Sequence, residues 1–181
     1  MRPEVGQSPS EVFDVVDAAD RVIGRASREE VHQRGLYHRA VHIFWLSPDG
    51  QLGLQRRSFA KDSCPGLLSS ACAGHVDAGE DYRSAAVREL AEELGVRVAP
   101  EELQEIDYVP AHDDLGHEFV RCYVLRRPVE PCRLAPFEVD SVLWRRPEEL
   151  VAWIGSQRGL FAPPLLHLLG RRAIQRSLGL R

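Results

Sequence analysis

Six stretches carry apolar residues in runs or at every second position, the period of a strand whose alternate side chains face a core: 12–16, 38–46, 51–57, 103–109, 118–125 and 137–144. Asp17-Ala18-Ala19-Asp20 turns the first of these back into 21–24 and predicts a small hairpin. Ser47-Pro48-Asp49-Gly50 predicts the turn that joins 38–46 to 51–57. Helical signals alternate with the strands. Ser27 with Glu30 reads as a capping box opening a short helix, which Gly35 stops. Pro147 opens a helix over 147–154, and an amphipathic pattern over 163–178 predicts one last helix. A short strand over 71–74 is expected to lead into the strongest helical stretch of all. Residues 58–70, with Pro65-Gly66, read as a loop, and loops of that length often carry function. Mixed strands with helices before, between and after them predict an α/β protein, a three-layer α/β/α sandwich with a mixed sheet. Residues 1–10, rich in Pro, Ser and Gly, are expected to be flexible, which leaves one domain over 11–181.

Composition narrows the class. With 181 residues, 44% hydrophobic and 28% charged, the chain suits one ordinary domain with a real core. The first residues lack the apolar segment of a signal peptide, and no stretch approaches the ~18 apolar residues of a membrane span. A cytoplasmic protein with no membrane partner is therefore expected. A net charge of −4 argues against a nucleic-acid binder, which usually carries a basic stripe. Cys64, Cys72, Cys122 and Cys132 show no paired spacing and read as reduced thiols, Cys72 as a small buried hydrophobe. Of 23 basic residues only Lys61 is a lysine.

The candidate chemistry lies in 74–96, GHVDAGEDYRSAAVRELAEELGV. On a helical wheel Glu89 and Glu93 share one face with Glu92 beside them, while Val87, Leu90, Ala91 and Leu94 take the opposite side. Like charges so close repel by some tenths of a kcal/mol per pair. A solvated acidic face is one reading; a site for Mg²⁺ or Mn²⁺, which prefer hard oxygen ligands, is the other. Gly74 would bring a strand-end carbonyl close to such an ion, since glycine tolerates tight turns. Glu80, just before the helix, is placed to pair with Arg88, and Arg88 to hold Glu80 and Glu89 as an outer shell. Gly95 ends the helix.

These residues spell G-x5-E-x7-R-E-U-x-E-E-x-G-U, with U a bulky aliphatic, across nine specified positions. The pattern resembles the signature box of the Nudix hydrolases at every one of them. The resemblance implies the Nudix fold and divalent-metal ligation by Glu89, Glu92 and Glu93 with the Gly74 carbonyl. It further implies attack of water on a small-molecule diphosphate, with Glu93 or Glu118 as base and Arg88 in support.

The surrounding sequence is similar to the Nudix branch that includes type I isopentenyl diphosphate isomerase. Residues 55–66, QRRSFAKDSCPG, resemble that branch's RR-x3-K-x3-PG segment, which implies that Arg57 and Lys61 contact a diphosphate. Gly74-His75 and His117-Glu118-Phe119 also resemble isomerase segments, and Glu118 matches a position that related hydrolases use as an extra metal ligand or base. His75 is either a metal ligand or a polar loop contact; His32, His38 and His42 read as structural or surface residues. The chain departs from the isomerases where their chemistry needs a cysteine, since Ala73 stands before the Gly-His pair and Cys72 one residue earlier faces the other way on a strand. Gly116 stands where they place a second glutamate. The expectation is hydrolysis of a phosphoanhydride in a nucleoside diphosphate linked to another group, or in a nucleoside di- or triphosphate, with isomerisation or non-catalytic nucleotide binding as alternatives and a homodimer left open. The pocket is expected between the 58–70 loop, the 110–117 loop and the last helix, with Trp144 in the core or pocket wall.

Overall fold

The computed structural model describes residues 11–130 and 132–180, so the expectation for residues 1–10 lies outside it. Strands β1 (Val12–Val16) and β2 (Val22–Ser27) form the predicted antiparallel hairpin. Helix α1 (Arg28–Arg34) follows, with Ser27 Oγ accepting from Glu30 N at 3.2 Å and Gly35 closing it at φ 60°. The return half of the expected capping box is not made, because the Glu30 carboxylate is taken by Arg34 one turn later.

The main sheet contains β3 (His38–Leu46), β4 (Leu52–Arg57), β5 (Leu68–Ser70), β6 (Cys72–His75), β7 (Leu103–Val109), β8 (Glu118–Arg126) and β9 (Val139–Arg145). It is mixed: β3 and β8 run parallel from His38↔Glu118 to Leu46↔Arg126, and the other pairs are antiparallel. One irregularity sets up everything that follows. β3 and β4 share only the Leu46↔Leu52 pair, and segment 68–75 fills the fork between them, joining β4 through β5 and then β3 through β6. The predicted 58–70 loop therefore ends in a strand.

Alternate residues of β3 serve opposite layers. Val41, Ile43 and Trp45 pack beneath α2 (Tyr82–Glu93), with Ala85, Ala86, Leu90 and Leu94. Ala40 and Phe44 face α3 (Pro147–Gln157), α4 (Pro163–Leu169) and α5 (Arg172–Leu178) through Leu150, Leu165, Leu168 and Ile174. This is the predicted α/β/α order. The single last helix is instead two, broken at Gly170, a weak helix former, where Arg171 turns out to pair with Asp107 of β7. Trp144 packs edge-on against Trp45 and belongs to the core. Among the described residues no helix is long and apolar enough to cross a membrane.

Candidate active site

The fork in the sheet opens into a cavity of about 940 Å³, and α2 lies along one side of it. Asp81 starts that helix by accepting from Arg83 N and Ser84 N at 2.9 and 3.1 Å. Gly95, at φ +68°, stops it. The three carboxylates do not form one face. Glu93 is 2% exposed and passes into the fork, where its Oε2 accepts from Gln55 Nε2 of β4 at 3.0 Å and from Ala73 N of β6 at 3.3 Å. Glu89 lies over the backbone of Gly74, and Glu92 is the outermost, with its side chain 42% exposed. Ala91, expected on the buried side, is exposed; Ala86 takes that place, because the helix is rolled so that Glu93 reaches the sheet.

Arg88 organises this group. Its guanidinium donates to Glu80 Oε2 at 2.8 Å, to Glu89 Oε1 at 2.7 Å, to Glu92 Oε2 at 3.2 Å and to the carbonyl of His75 at 2.9 Å. Glu80 in turn accepts from Asp77 N at 3.2 Å, which ties the loop before α2 to the helix. Even so, the site is short of positive charge. Burial, and next the charge of Glu93, push the Glu89 carboxyl up to about 8. A buried carboxyl pushed up by a second carboxylate beside it fits a site for a hard divalent cation, which Glu89, Glu92 and Glu93 beside the Gly74 backbone would hold. At Gly74 the requirement is for space rather than for an unusual backbone angle, since a Cβ there would lie 2.0 Å from Glu89 Cδ.

The same cavity is lined by Arg28, Arg57 and Lys61. Arg57 donates to Ser63 O and Ser63 Oγ at 3.0 and 3.1 Å, which folds the 58–67 loop back on β4. Lys61 is 7% exposed, paired closely with Glu138 and 3.7 Å from Glu93 Oε1. Burial lowers its pKa, while Glu93 works in the opposite sense. Arg28, the first residue of α1, reaches His75 Nδ1 at 3.1 Å and Asp62 at 4.0 Å. Neither Arg28 nor Glu138 stood out in the sequence. Their only signal was a cation after a helix cap and a carboxylate just before a strand.

A second cluster forms around Glu118, the first residue of β8. One ring nitrogen from each of His32, His38 and His75 lies within 4.8 Å of the other two. Arginine can only donate, so His75 Nδ1 accepts from Arg28, and His75 Nε2–H donates to Glu118 Oε1 at 3.0 Å. His38 Nδ1 lies 2.9 Å from Leu36 O and carries its proton there. Its buried Nε2 has no hydrogen-bond partner and faces Glu118 Oε1 at 3.5 Å. Two acceptor atoms share such a gap only with a proton or a cation between them. Burial would raise the pKa of Glu118, but the contacts to His38 and His75 outweigh it and keep the carboxylate ionised well below its usual range. Burial holds His75 to about 4 and also lowers His32, so both rings are neutral near pH 7, but the two nitrogens of His75 are already engaged, Nδ1 by Arg28 and Nε2–H by Glu118. His32 and His38, read from the sequence as structural or surface residues, thus stand with His75 around Glu118, and a cation held by the three rings would have to displace the contact of His75 with Arg28 or with Glu118.

Residues 36–163 match the family model of the NUDIX domain. The chain belongs to the Nudix family. It is 36% identical over 156 residues to an isopentenyl-diphosphate Delta-isomerase of Serratia proteamaculans, covering 79% of this chain and 87% of that one. An uncharacterised Nudix hydrolase of Nostoc is 34% identical over 147 residues, covering 81% and 86%. A crystal structure from Deinococcus radiodurans superposes with a TM-score of 0.70 at 30% identity, over 81% of this chain and 90% of that one. With its Nudix domain and its relatives named as Nudix hydrolases, the protein is a hydrolase.

The geometry also bears on the isomerase resemblance. Cys72 is fully buried beneath α2, on the opposite face of β6 from His75, and burial pushes its thiol well above the usual range. Ala73 puts only a methyl group on the cavity side. None of residues 110–117 lines the cavity, contrary to expectation: Leu115 is buried in the core and anchors that loop toward α4. From the last helices only the lead-in, Ala162 and Pro164, reaches the lining.

Proposed function

We propose that this Nudix hydrolase cleaves the phosphoanhydride of a nucleoside diphosphate joined to another group, or of a nucleoside di- or triphosphate, with Mg²⁺ or Mn²⁺. The observation that carries the reading is the buried Glu89–Glu93 pair, with Glu89 braced by Arg88 and Glu93 by Gln55 and Ala73 N, in a cavity that Arg28, Arg57 and Lys61 also line. Glu89, Glu92 and Glu93 would hold the Mg²⁺ or Mn²⁺, which would supply charge neutralisation of the diphosphate and a lowered pKa for the attacking water. Arg57 holds phosphate oxygens through the part of its guanidinium that Ser63 leaves free, and Lys61 adds a point charge. Glu93, fixed by Gln55 and Ala73 N, takes the proton of the water. Glu118, which accepts from His75 Nε2–H and faces His38, braces the histidine cluster. The products are a nucleoside monophosphate and the phosphorylated remainder.

Purified protein incubated with a panel of nucleoside diphosphates and their conjugates is expected to release product with Mg²⁺ or Mn²⁺ and to stop with EDTA. Turnover that survives chelation sinks the reading. Isopentenyl diphosphate offered in the same assay is expected to give no dimethylallyl diphosphate, because the residue before the Gly-His pair is Ala73 and the cavity's cysteine, Cys64, comes from the 58–67 loop instead. Lys61→Met is expected to raise KM by about 10-fold or more, the worth of one charged hydrogen bond, with less change in kcat. An unchanged KM, in protein whose melting curve shows it folded, removes the lysine from the diphosphate site.

A further inference from the structure

The cavity continues past the carboxylates and histidines to His42, a β3 residue only 5% exposed. His42 stands opposite Ala73 of β6, two residues along the strand from the Ala40↔His75 pair, or about 7 Å. The sequence marked it only as structural, and the hydrolytic steps above make no use of it.

Its tautomer follows from its neighbours. Ring atom Nδ1 lies 2.8 Å from Ser70 Oγ, and the Ser70 hydroxyl spends its one proton on the carbonyl of Cys72 at 3.1 Å. The contact between ring and hydroxyl is therefore Nδ1–H donating to Oγ, which leaves Nε2 with a bare lone pair. Burial holds the ring to about 4, so it carries no charge near neutral pH. Nε2 has no donor among the described residues, and the ring lines the cavity. The same lining includes Ala40, on the same face of β3, and Ala162 and Pro164 from the start of α4. A neutral acceptor with these small apolar residues in the same lining suits a flat ring with a donor at its edge, although Arg57 and Glu118 also lie close enough to act on the ring. A sugar, each of whose hydroxyls needs a partner, fits less well.

We propose that His42 sets the base specificity of this site: its Nε2 accepts from the amino group of the substrate's nucleobase. A base with a carbonyl at that place would set lone pair against lone pair. This rests on the hydrolase reading above and names the class of nucleotide it takes.

The test compares kcat/KM for cytidine with uridine diphosphate and for adenosine with inosine diphosphate. The amino-bearing member of each pair is expected to be favoured about 10–100-fold, since a site built to pair one polar group discriminates by the pair it cannot make. His42→Phe should bring both ratios near one, and His42→Gln, which keeps an acceptor, should restore part of the preference. Ratios near one in the unaltered protein, or a preference that survives in folded His42→Phe, overturn the assignment. If His42→Phe does not fold, His42→Gln and the unaltered protein decide it by the same ratios. Methylene-bridged analogues, which cannot be hydrolysed, separate the two claims when their binding is followed by calorimetry. Base-selective binding without turnover of any anhydride rejects the hydrolase reading and leaves His42 standing; turnover with no base preference rejects His42 alone.

Discussion

Glu93→Gln is expected to lower kcat by about 10²–10⁴-fold, with a smaller effect on KM. The change is nearly isosteric, so the loss reports charge rather than shape. In the native site Glu93 Oε2 accepts from two donors, Gln55 Nε2 and Ala73 N, while Oε1 faces Lys61 at 3.7 Å. A glutamine satisfies the first pair with its carbonyl only by turning its NH₂ toward the lysine ammonium, donor against cation. The anion that takes the proton is gone, and one of two adjacent negative charges available to a divalent cation is gone with it. The remaining charge should also behave differently, because part of the upward push on Glu89 comes from Glu93. Steady-state product release, together with calorimetry of Mn²⁺, reads both effects. A variant that keeps turnover within 10-fold and binds Mn²⁺ as before takes Glu93 out of the chemistry.

The contrast between what spacing revealed and what it hid has a physical cause. Along α2 the helix itself carries the geometry. Arg88 and Glu92 are one turn apart on it, and Glu80 stands in the short lead-in just before its cap, so Arg88 is found in contact with Glu80, Glu89 and Glu92 as the pattern implies. The helical wheel nevertheless gave Glu93 the wrong surroundings. It assumes water on one side and core on the other, and it has no knowledge of a sheet that forks and admits a carboxylate between β4 and β6. The histidine cluster was hidden for a different reason. His32, His38, His75 and Glu118 come from a helix, two strands of opposite direction and a parallel partner strand, and they meet only because His38 is in register with Glu118 and Ala40 with His75. No local period records such a meeting. Lys61 and Glu138 are likewise 77 residues apart and joined only in space. The 110–117 loop misled in the opposite way: polar and positioned just before Glu118, it looked like a pocket wall, yet Leu115 turns it into the core.

Gly74→Ala, the smallest substitution in the site, is expected to cost about 10²-fold or more in kcat/KM while leaving the protein folded. Gly74 does not adopt a left-handed backbone, so alanine meets no conformational penalty; the obstacle is the space its methyl needs. The added carbon would sit 2.0 Å from Glu89 Cδ and 2.2 Å from Oε1, far inside van der Waals contact. Either β6 moves or Glu89 does. β6 is held to β3 through Ala40↔His75, Val41↔Gly74, His42↔Ala73 and Ile43↔Cys72, so the side chain yields. A displaced Glu89 lets go of Arg88 Nη1, and Arg88 is the same guanidinium that steadies Glu80, Glu92 and the His75 carbonyl. One methyl group thus loosens every carboxylate except Glu93, whose partners lie in the fork on the other side of β6. The stability change should stay within about 1–3 kcal/mol, as for other overpacked sites, because the strain is relieved at a side chain facing the cavity. A melting curve beside the kinetics separates the two effects. Full activity in folded Gly74→Ala would mean that Glu89 does not need its place on the strand, and would remove it from the metal site.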